Sequence, residues 1–226
     1  MCFSSTASFT SSILLGTVGV ITNRVNKDPM QTPVASIPIV FGIQQGIEGF
    51  IWLALENEKY AHWLSPSSKA YLFFAMIFWP LFVPFAYAWA EKIPSRKKAI
   101  NVLFAFGVIE ASFLGYYLLT SRAEVSISGQ HIHYAIGVDR WDYPMTIIYG
   151  LATMLPPFIS TIPYSSFTGY TLLLSFVVTR IFFQEHVISV WCYFAAICSM
   201  SVWLVLREQN KKFILESETN QKSKAT

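Results

Sequence analysis

The residues of this chain best suited to binding a ligand or relaying a proton are those with carboxylate and amide side chains inside apolar helical segments. The stretch from Pro33 to Leu55 is long enough to cross a bilayer, because about 20 apolar residues span the ~30 Å hydrocarbon layer. It nevertheless carries Gln44, Gln45 and Glu48. An ionisable side chain at that depth costs roughly 2.5–3.5 kcal/mol on insertion scales, and such residues typically mark ion paths, proton relays or ligand sites.

The helical period sorts the stretch 33–55 into three faces at about 100° per residue. The polar face carries Gln44, Gln45, Glu48 and Trp52. A small-residue face beside it carries Gly42, Gly46 and Gly49, and the opposite, lipid-like face carries Ile43, Ile47, Phe50, Ile51 and Ala54. Such a helix belongs inside a bundle, in close contact with a neighbouring helix and with Glu48 facing away from lipid.

A second carboxylate, Glu110, lies at a similar depth in the apolar segment 98–120, and Arg180 lies near the end of another such segment. We predict one ligand or ion pocket formed by Gln44, Gln45, Glu48, Trp52, Glu110 and Arg180. Glu48 and Glu110 would bind or relay charge, with Arg180 as their counter-ion. The alternative is a structural polar cluster, in which protonated or paired carboxylates hold helices together.

The histidines offer a different chemistry. His131 and His133 are separated by one residue, and strand alternation places both on one face about 7 Å apart. Two such imidazoles can share a Zn²⁺ ion, with a third ligand from His186, His62, Glu185 or an intramembrane carboxylate. In the alternative, which the burial of the neighbouring apolar residues favours, His131 and His133 face solvent. That arrangement turns Val125, Ile127, Ile132, Tyr134 and Ile136 toward the bundle.

Composition defines the class of protein. Of the 226 residues, 54% are hydrophobic and only 13% are charged, against about 25% charged in a typical soluble domain. The chain is therefore predicted to be an all-α integral membrane protein in contact with the lipid bilayer. Its net charge of +3 is spread over loops and tail, which argues against a nucleic-acid partner.

Seven membrane spans follow from the apolar segments, at roughly 8–22, 33–55, 70–90, 98–120, 144–162, 163–183 and 187–206, and Pro156-Pro157 is expected to break the fifth span near its end. With the N-terminus outside, eleven Lys and Arg residues fall on the inner side and five on the outer side. This bias predicts an N-out, C-in bundle in the plasma (inner) membrane. The membrane domain would occupy residues 1–207, followed by a disordered cytoplasmic tail at 208–226.

The outer loop 121–143 is predicted to fold as a β-hairpin lid over the mouth of the bundle. Apolar and polar residues alternate on both sides of a turn at Ser128, Gly129 and Gln130. Cys2 is a separate candidate, because removal of the initial methionine would leave an N-terminal cysteine whose amine and thiol can act in nucleophilic catalysis.

Three segments resemble an uncharacterised family of bacterial multi-pass membrane proteins whose chains begin Met-Cys-Phe-Ser. These are the opening MCFSSTASF, the helix FGIQQGIEGFIWLAL and the segment SVWCYFAAICS at 189–199. The resemblance implies a shared fold but no activity. Seven-span metal-dependent amidases of the alkaline ceramidase type are similar in topology and in their outer histidines. Their His-x-x-x-His motif is missing from the last span here.

The sequence thus favours an outward-opening polar pocket that binds a small molecule or ion for transport or sensing. A membrane-embedded, metal-dependent hydrolase is the second interpretation, with zinc held by His131, His133 and His186 and with Glu48 as general base. A structural or assembly role is the third.

Overall fold

The computed structural model describes residues 4–121, 123–136 and 142–225, with side chains up to residue 210 except at 142 and 143. Cys2 lies outside these residues. Ten α-helices and one β-hairpin form most of the described chain: α1 (Ser5–Val25), α2 (Thr32–Ala35), α3 (Ile37–Glu56), α4 (Leu64–Phe73), α5 (Trp79–Ala90), α6 (Pro94–Thr120), β1 (Glu124–Ser128), β2 (His131–Ala135), α7 (Asp142–Met154), α8 (Pro156–Ile159), α9 (Ser165–Phe182) and α10 (Val187–Ala225).

Six helical segments of the described chain are long and apolar enough to cross a membrane, and they confirm a mostly helical, multi-pass architecture. Residues 144–162, predicted to be one span with a break near its end, form the short apolar helix α7 and the single turn α8. The break falls at Pro156 and Pro157, because proline lacks the N–H that would continue the helical ladder and restricts the residue before it.

The central helix α3 contacts α1, α4 and α10, so its polar face is enclosed by protein. Gln44, Gln45 and Glu48 are fully buried and Trp52 is 3% exposed, as predicted. Fewer residues of the predicted lipid-like face are exposed than expected. Ile43 and Phe50 are exposed, whereas Ile51 and Ala54 are buried, since neighbouring helices cover α3 on most sides.

The small-residue face of α3 packs against α1, which confirms the predicted close helix contact. A Cβ on Gly42 would lie 2.9 Å from the backbone nitrogen of Gly16, and one on Gly46 would lie 3.0 Å from the Ser12 hydroxyl. Small residues at such a crossing let two backbones approach and gain van der Waals contact, which is a main source of helix association in lipid.

A π-helical turn, Phe74–Phe78, joins α4 to α5. The Trp79 amide accordingly donates to the carbonyl of Phe74, five residues back. The next residue, Pro80, has no N–H, so the carbonyl of Ala75 receives no backbone hydrogen bond in this register. The irregular turn thus leaves a polar backbone group facing the bundle interior.

The predicted hairpin is present. β1 and β2 pair in antiparallel fashion, with Val125 opposite Tyr134 and Ile127 opposite Ile132. The two-residue turn has Gly129 at φ +61°, while Gln130 stays outside the positive-φ region. This pattern matches a type II′ turn, which needs glycine at its first central position.

Only β2 packs closely on the bundle, against α10 and the turn Gln184–His186. Ile132 and Tyr134 are therefore buried as expected, but Ile127 on the outer strand β1 is 42% exposed, contrary to the prediction. The expectation that His131 and His133 face solvent holds only in part. Both are half-buried, because the 184–186 turn covers their side of β2.

α10 continues as a helix to Ala225, through the segment that the sequence analysis assigned to a disordered tail. Residues 208–225 contain neither glycine nor proline and are rich in Glu, Gln and Lys, which favour helix. At this end of the bundle the Asn210 side chain donates to the Val25 carbonyl over 2.6 Å, which ties α10 to the end of α1.

Candidate functional site

A cavity of about 620 Å³ lies between the hairpin and the bundle. Its wall is formed by the π-helical turn, α6, the hairpin, α7, α9, the 184–186 turn and the start of α10. We call it the hairpin cavity. Exposed residues, among them Glu124, Ala135 and Glu185, form part of the wall, so the hairpin cavity reaches the protein surface.

Two of the predicted pocket residues line the hairpin cavity: Glu110 on α6 and Arg180 on α9. Glu110 is only 1% exposed, and its Oε2 has no hydrogen-bond partner among the described residues. Its carboxyl group lies close enough to the Tyr149 hydroxyl to act on it electrostatically. A buried carboxylate oxygen without a partner is costly, and bound water or a ligand would relieve that cost.

The other predicted residues form a polar cluster deeper in the bundle together with Ser189. We call it the inner polar cluster: Gln44, Gln45, Glu48, Trp52 and Ser189. The Ser189 hydroxyl donates to Oε1 of Glu48 over 2.7 Å, and Trp79 donates to Gln44 over 2.6 Å. Gln45 and Tyr71 lie beside the Glu48 carboxyl group. Even so, Oε2 of Glu48 and the amide of Gln45 lack hydrogen bonds of good geometry among the described residues.

Glu48 itself does not line the hairpin cavity, whereas Ser189 does. A single pocket shared by Glu48 and Glu110 therefore stays a prediction, since only Glu110 of the two lines the hairpin cavity. Ser189 connects the two regions, since its hydroxyl contacts Glu48 and its α10 position borders the hairpin cavity. A polar path of this kind can carry a proton or position water between a deep carboxylate and a solvated site.

The three histidines converge at the hairpin end of the bundle. The ring centroid of His186 lies 5.0 Å from that of His131 and 6.0 Å from that of His133. Burial, followed by repulsion from His186, lowers the pKa of His131 below its usual value. Among the described residues, however, no three or more His, Cys, Asp and Glu side chains are grouped so that they could hold a metal ion.

Tyr149 on α7 connects the hairpin cavity to the π-helical turn. Its hydroxyl donates to the Ala75 carbonyl over 2.8 Å, the carbonyl that Pro80 leaves without a backbone donor. The Tyr149 side chain thus supplies the missing donor to the Ala75 carbonyl, and its ring forms part of the wall of the hairpin cavity. π-helical turns of this kind frequently occur at functional sites.

Replacing Tyr149 with Phe is expected to lower the free energy of unfolding by roughly 1–2 kcal/mol, because the buried Ala75 carbonyl would lose its donor. Thermal unfolding of the purified protein in detergent measures this change. Tyr170→Phe is the matched control, since Tyr170 is 64% exposed. Equal unfolding temperatures for the two variants would contradict the assigned role of the hydroxyl.

Sequence reasoning did not identify Ser189 or the aromatic residues of the cavity wall: Tyr134, Tyr149, Phe176 and Trp191. They occur in apolar helices or on a strand at spacings that fit ordinary core packing. Only Pro80, which directly follows the unbroken aromatic and aliphatic run at 70–79, signalled a backbone group in need of an external donor.

The fold and site define a class: a mostly helical protein with six helices able to span a membrane and a partly polar cavity at one end of the bundle. Within that class, residues 1–216 match DUF6629, a family of unknown function, and the chain belongs to this family. This confirms membership of an uncharacterised family, while a bacterial origin and a shared opening motif stay predictions. No curated protein and no solved structure matches the chain.

Proposed function

We propose that this protein is a membrane-embedded binding protein that transports or senses a small polar solute, with the hairpin cavity as its binding site. The observation that carries the proposal is Glu110, a buried carboxylate without a hydrogen-bond partner among the described residues, in the wall of a cavity of about 620 Å³. Buried ionisable groups in membrane helices are costly and usually mark such sites.

The size of the hairpin cavity favours a molecule over a bare ion. Small-molecule sites occupy roughly 300–1,000 Å³, whereas one water molecule takes about 30 Å³ of liquid volume. The wall combines apolar and aromatic side chains with a few charged ones, which is the usual composition of a small-molecule site. The inner polar cluster would then move a proton or water in step with solute binding, through Ser189.

In the proposed topology the chain crosses the plasma membrane seven times, with the hairpin outside. α7 and α8 would serve as a crossing: Tyr149 on α7 contacts the cavity wall, and Thr161, just beyond α8, contacts Glu91 at the opposite end. That opposite end also carries Arg96, Lys97 and Lys98 in the first turn of α6, which suits the cytoplasmic side.

Blocking the hairpin cavity is expected to abolish solute binding. Thr146 on α7 lines the cavity, and Thr146→Trp would place an indole ring in it. Neighbouring Ile147 is 62% exposed and is not part of the wall, so Ile147→Trp is the matched control. The assay is thermal unfolding with four solutes at millimolar concentration: choline, glutamate, glycine betaine and myo-inositol.

At least one solute is expected to raise the unfolding temperature of the wild type and of Ile147→Trp, but not that of Thr146→Trp. A ligand at 100 times its Kd adds about 2.7 kcal/mol to the free energy of unfolding. If all three proteins respond alike, binding lies outside the hairpin cavity and the proposal is wrong. If no solute of any charge class has an effect, a structural or assembly role becomes the better interpretation.

A metal-dependent hydrolase is the second candidate, and the convergence of His131, His133 and His186 favours it. Metal analysis of the purified protein separates the two functions. Stoichiometric zinc that is lost in His186→Ala would support the hydrolase, because imidazole is a preferred zinc ligand. A metal content that His186→Ala leaves unchanged would count against it.

A further inference from the structure

Most of the described charged side chains that line the hairpin cavity are negative. Among the residues that the structure describes, three carboxylates line it, Glu110, Glu124 and Glu185, against one guanidinium, Arg180. Glu124 and Glu185 are exposed, so water and salt screen them, whereas Glu110 is buried and screened far less. The described part of the wall therefore presents an excess of negative charge, which raises the local concentration of cations.

Three aromatic rings from three helices meet in the same wall. The ring centroid of Trp191 on α10 lies 5.3 Å from that of Tyr149 on α7 and 5.1 Å from that of Phe176 on α9. Both pairs are edge-to-face, with interplanar angles of 69° and 70°. Aromatic faces attract cations through the ring quadrupole, most strongly in Trp and in desolvated sites.

We propose that the hairpin cavity binds a small organic cation, with its ammonium group beside Glu110 and against the rings of Tyr149, Phe176 and Trp191. This inference rests on the proposed function, since it names the solute class of the same site. A metal cation fits less well, because the described residues offer no group of three or more metal-binding side chains and the cavity is many times larger than an ion.

The test uses a matched pair of probes, choline and 3,3-dimethyl-1-butanol, which share a shape but differ in charge. Both are titrated into the purified full chain by calorimetry. Choline is expected to bind about tenfold or more tightly than the alcohol, because only choline gains from Glu110 and the ring faces. Glu110→Gln is expected to lower choline affinity about tenfold or more and to leave the alcohol unaffected.

Glu58→Gln is the matched control. Glu58 is exposed, lies just after α3 at the hairpin end and is not part of the cavity wall, so its removal should leave choline affinity unchanged. Trp191→Leu is the second variant, in case Glu110→Gln does not fold. It should weaken choline binding about fivefold and the alcohol less, because one aromatic face is lost.

Equal binding of choline and the alcohol by the wild type would overturn the inference and leave the proposed function intact, because the hairpin cavity would then bind solutes without selecting charge. The same conclusion would follow if choline did not bind while glutamate or myo-inositol raised the unfolding temperature of the wild type but not that of Thr146→Trp. Choline binding that neither Glu110→Gln nor Trp191→Leu changes would place the cation elsewhere and overturn the inference as well.

Discussion

Gly107→Ala is expected to lower the free energy of unfolding by roughly 2–4 kcal/mol, which is a large part of the stability of a domain of this size. A Cβ at position 107 would collide with the backbone carbonyl of Pro80, where α6 crosses α5. A flexible side chain could move away from such a contact, but a carbonyl held inside a helix cannot. The two helices would have to separate.

The close approach at Gly107 has a cause in the sequence. The carbonyl of Pro80 would normally accept a hydrogen bond from the amide of residue 84, but residue 84 is also a proline. The freed carbonyl points at α6, where the Cα–H groups of glycine can act as weak donors. The same helix pair thus depends on two prolines and one glycine.

Gly16→Ala is the matched control for this prediction, since a Cβ there meets no atom within 4 Å. It should leave stability unchanged or raise it by up to about 1 kcal/mol, because alanine favours helix over glycine. Denaturation of both variants in mixed micelles measures the difference. A similar loss of unfolding free energy in Gly107→Ala and Gly16→Ala would show that the close approach of Gly107 to Pro80 is not what makes glycine necessary there.

Glu91→Ala is expected to cost roughly 3 kcal/mol or more in free energy of unfolding. Glu91 lies between α5 and α6, is 3% exposed, and accepts hydrogen bonds from the Ile93 amide over 2.8 Å and the Thr161 amide over 2.7 Å. It also accepts one from the Thr161 hydroxyl over 2.8 Å. Nearby, Arg96 donates to the Ile159 carbonyl over 3.0 Å. Removal of the carboxylate would leave three part-buried donors without their partner and detach the α8–α9 connection from the start of α6.

The Glu91 contribution should depend on pH. Burial opposes ionisation of this carboxyl group, but hydrogen bonds from Ile93 and Thr161 outweigh it and hold the pKa below its usual value of 4.5. Because the pKa is lower in the folded state, the stabilisation is complete above pH 4.5 and is lost as the pH falls through the folded-state pKa.

Glu91→Gln is the control for this pH dependence, since its amide keeps one acceptor oxygen but does not titrate. It should lose less stability than Glu91→Ala at pH 7, and the wild type should approach it as the medium is acidified below pH 4.5. Unfolding temperatures of both proteins across this range measure the difference. A constant difference at every pH would mean that the charge of Glu91 contributes nothing.

The spacing of polar and apolar residues predicted the helices and strands of this fold well wherever that spacing follows a clear helical or strand period. The buried polar face of α3, its glycine contact with α1 and the hairpin with its turn at Gly129 all follow from spacing within one segment. The predicted break at the two adjacent prolines in 144–162 is also present, and it leaves α7 as a short apolar helix.

The sequence by itself determined that Gln44, Gln45 and Glu48 are enclosed, because desolvating them against lipid would be too costly. It also determined which residues share a face of a helix or strand. Only the tertiary structure decided that Glu110 lines the hairpin cavity while Glu48 lies behind Ser189, and that His186 meets His131 and His133. Helical periodicity fixes the direction in which a side chain leaves the axis of its helix. Which helices meet, and at what depth, depends on close packing between segments that are distant in the chain.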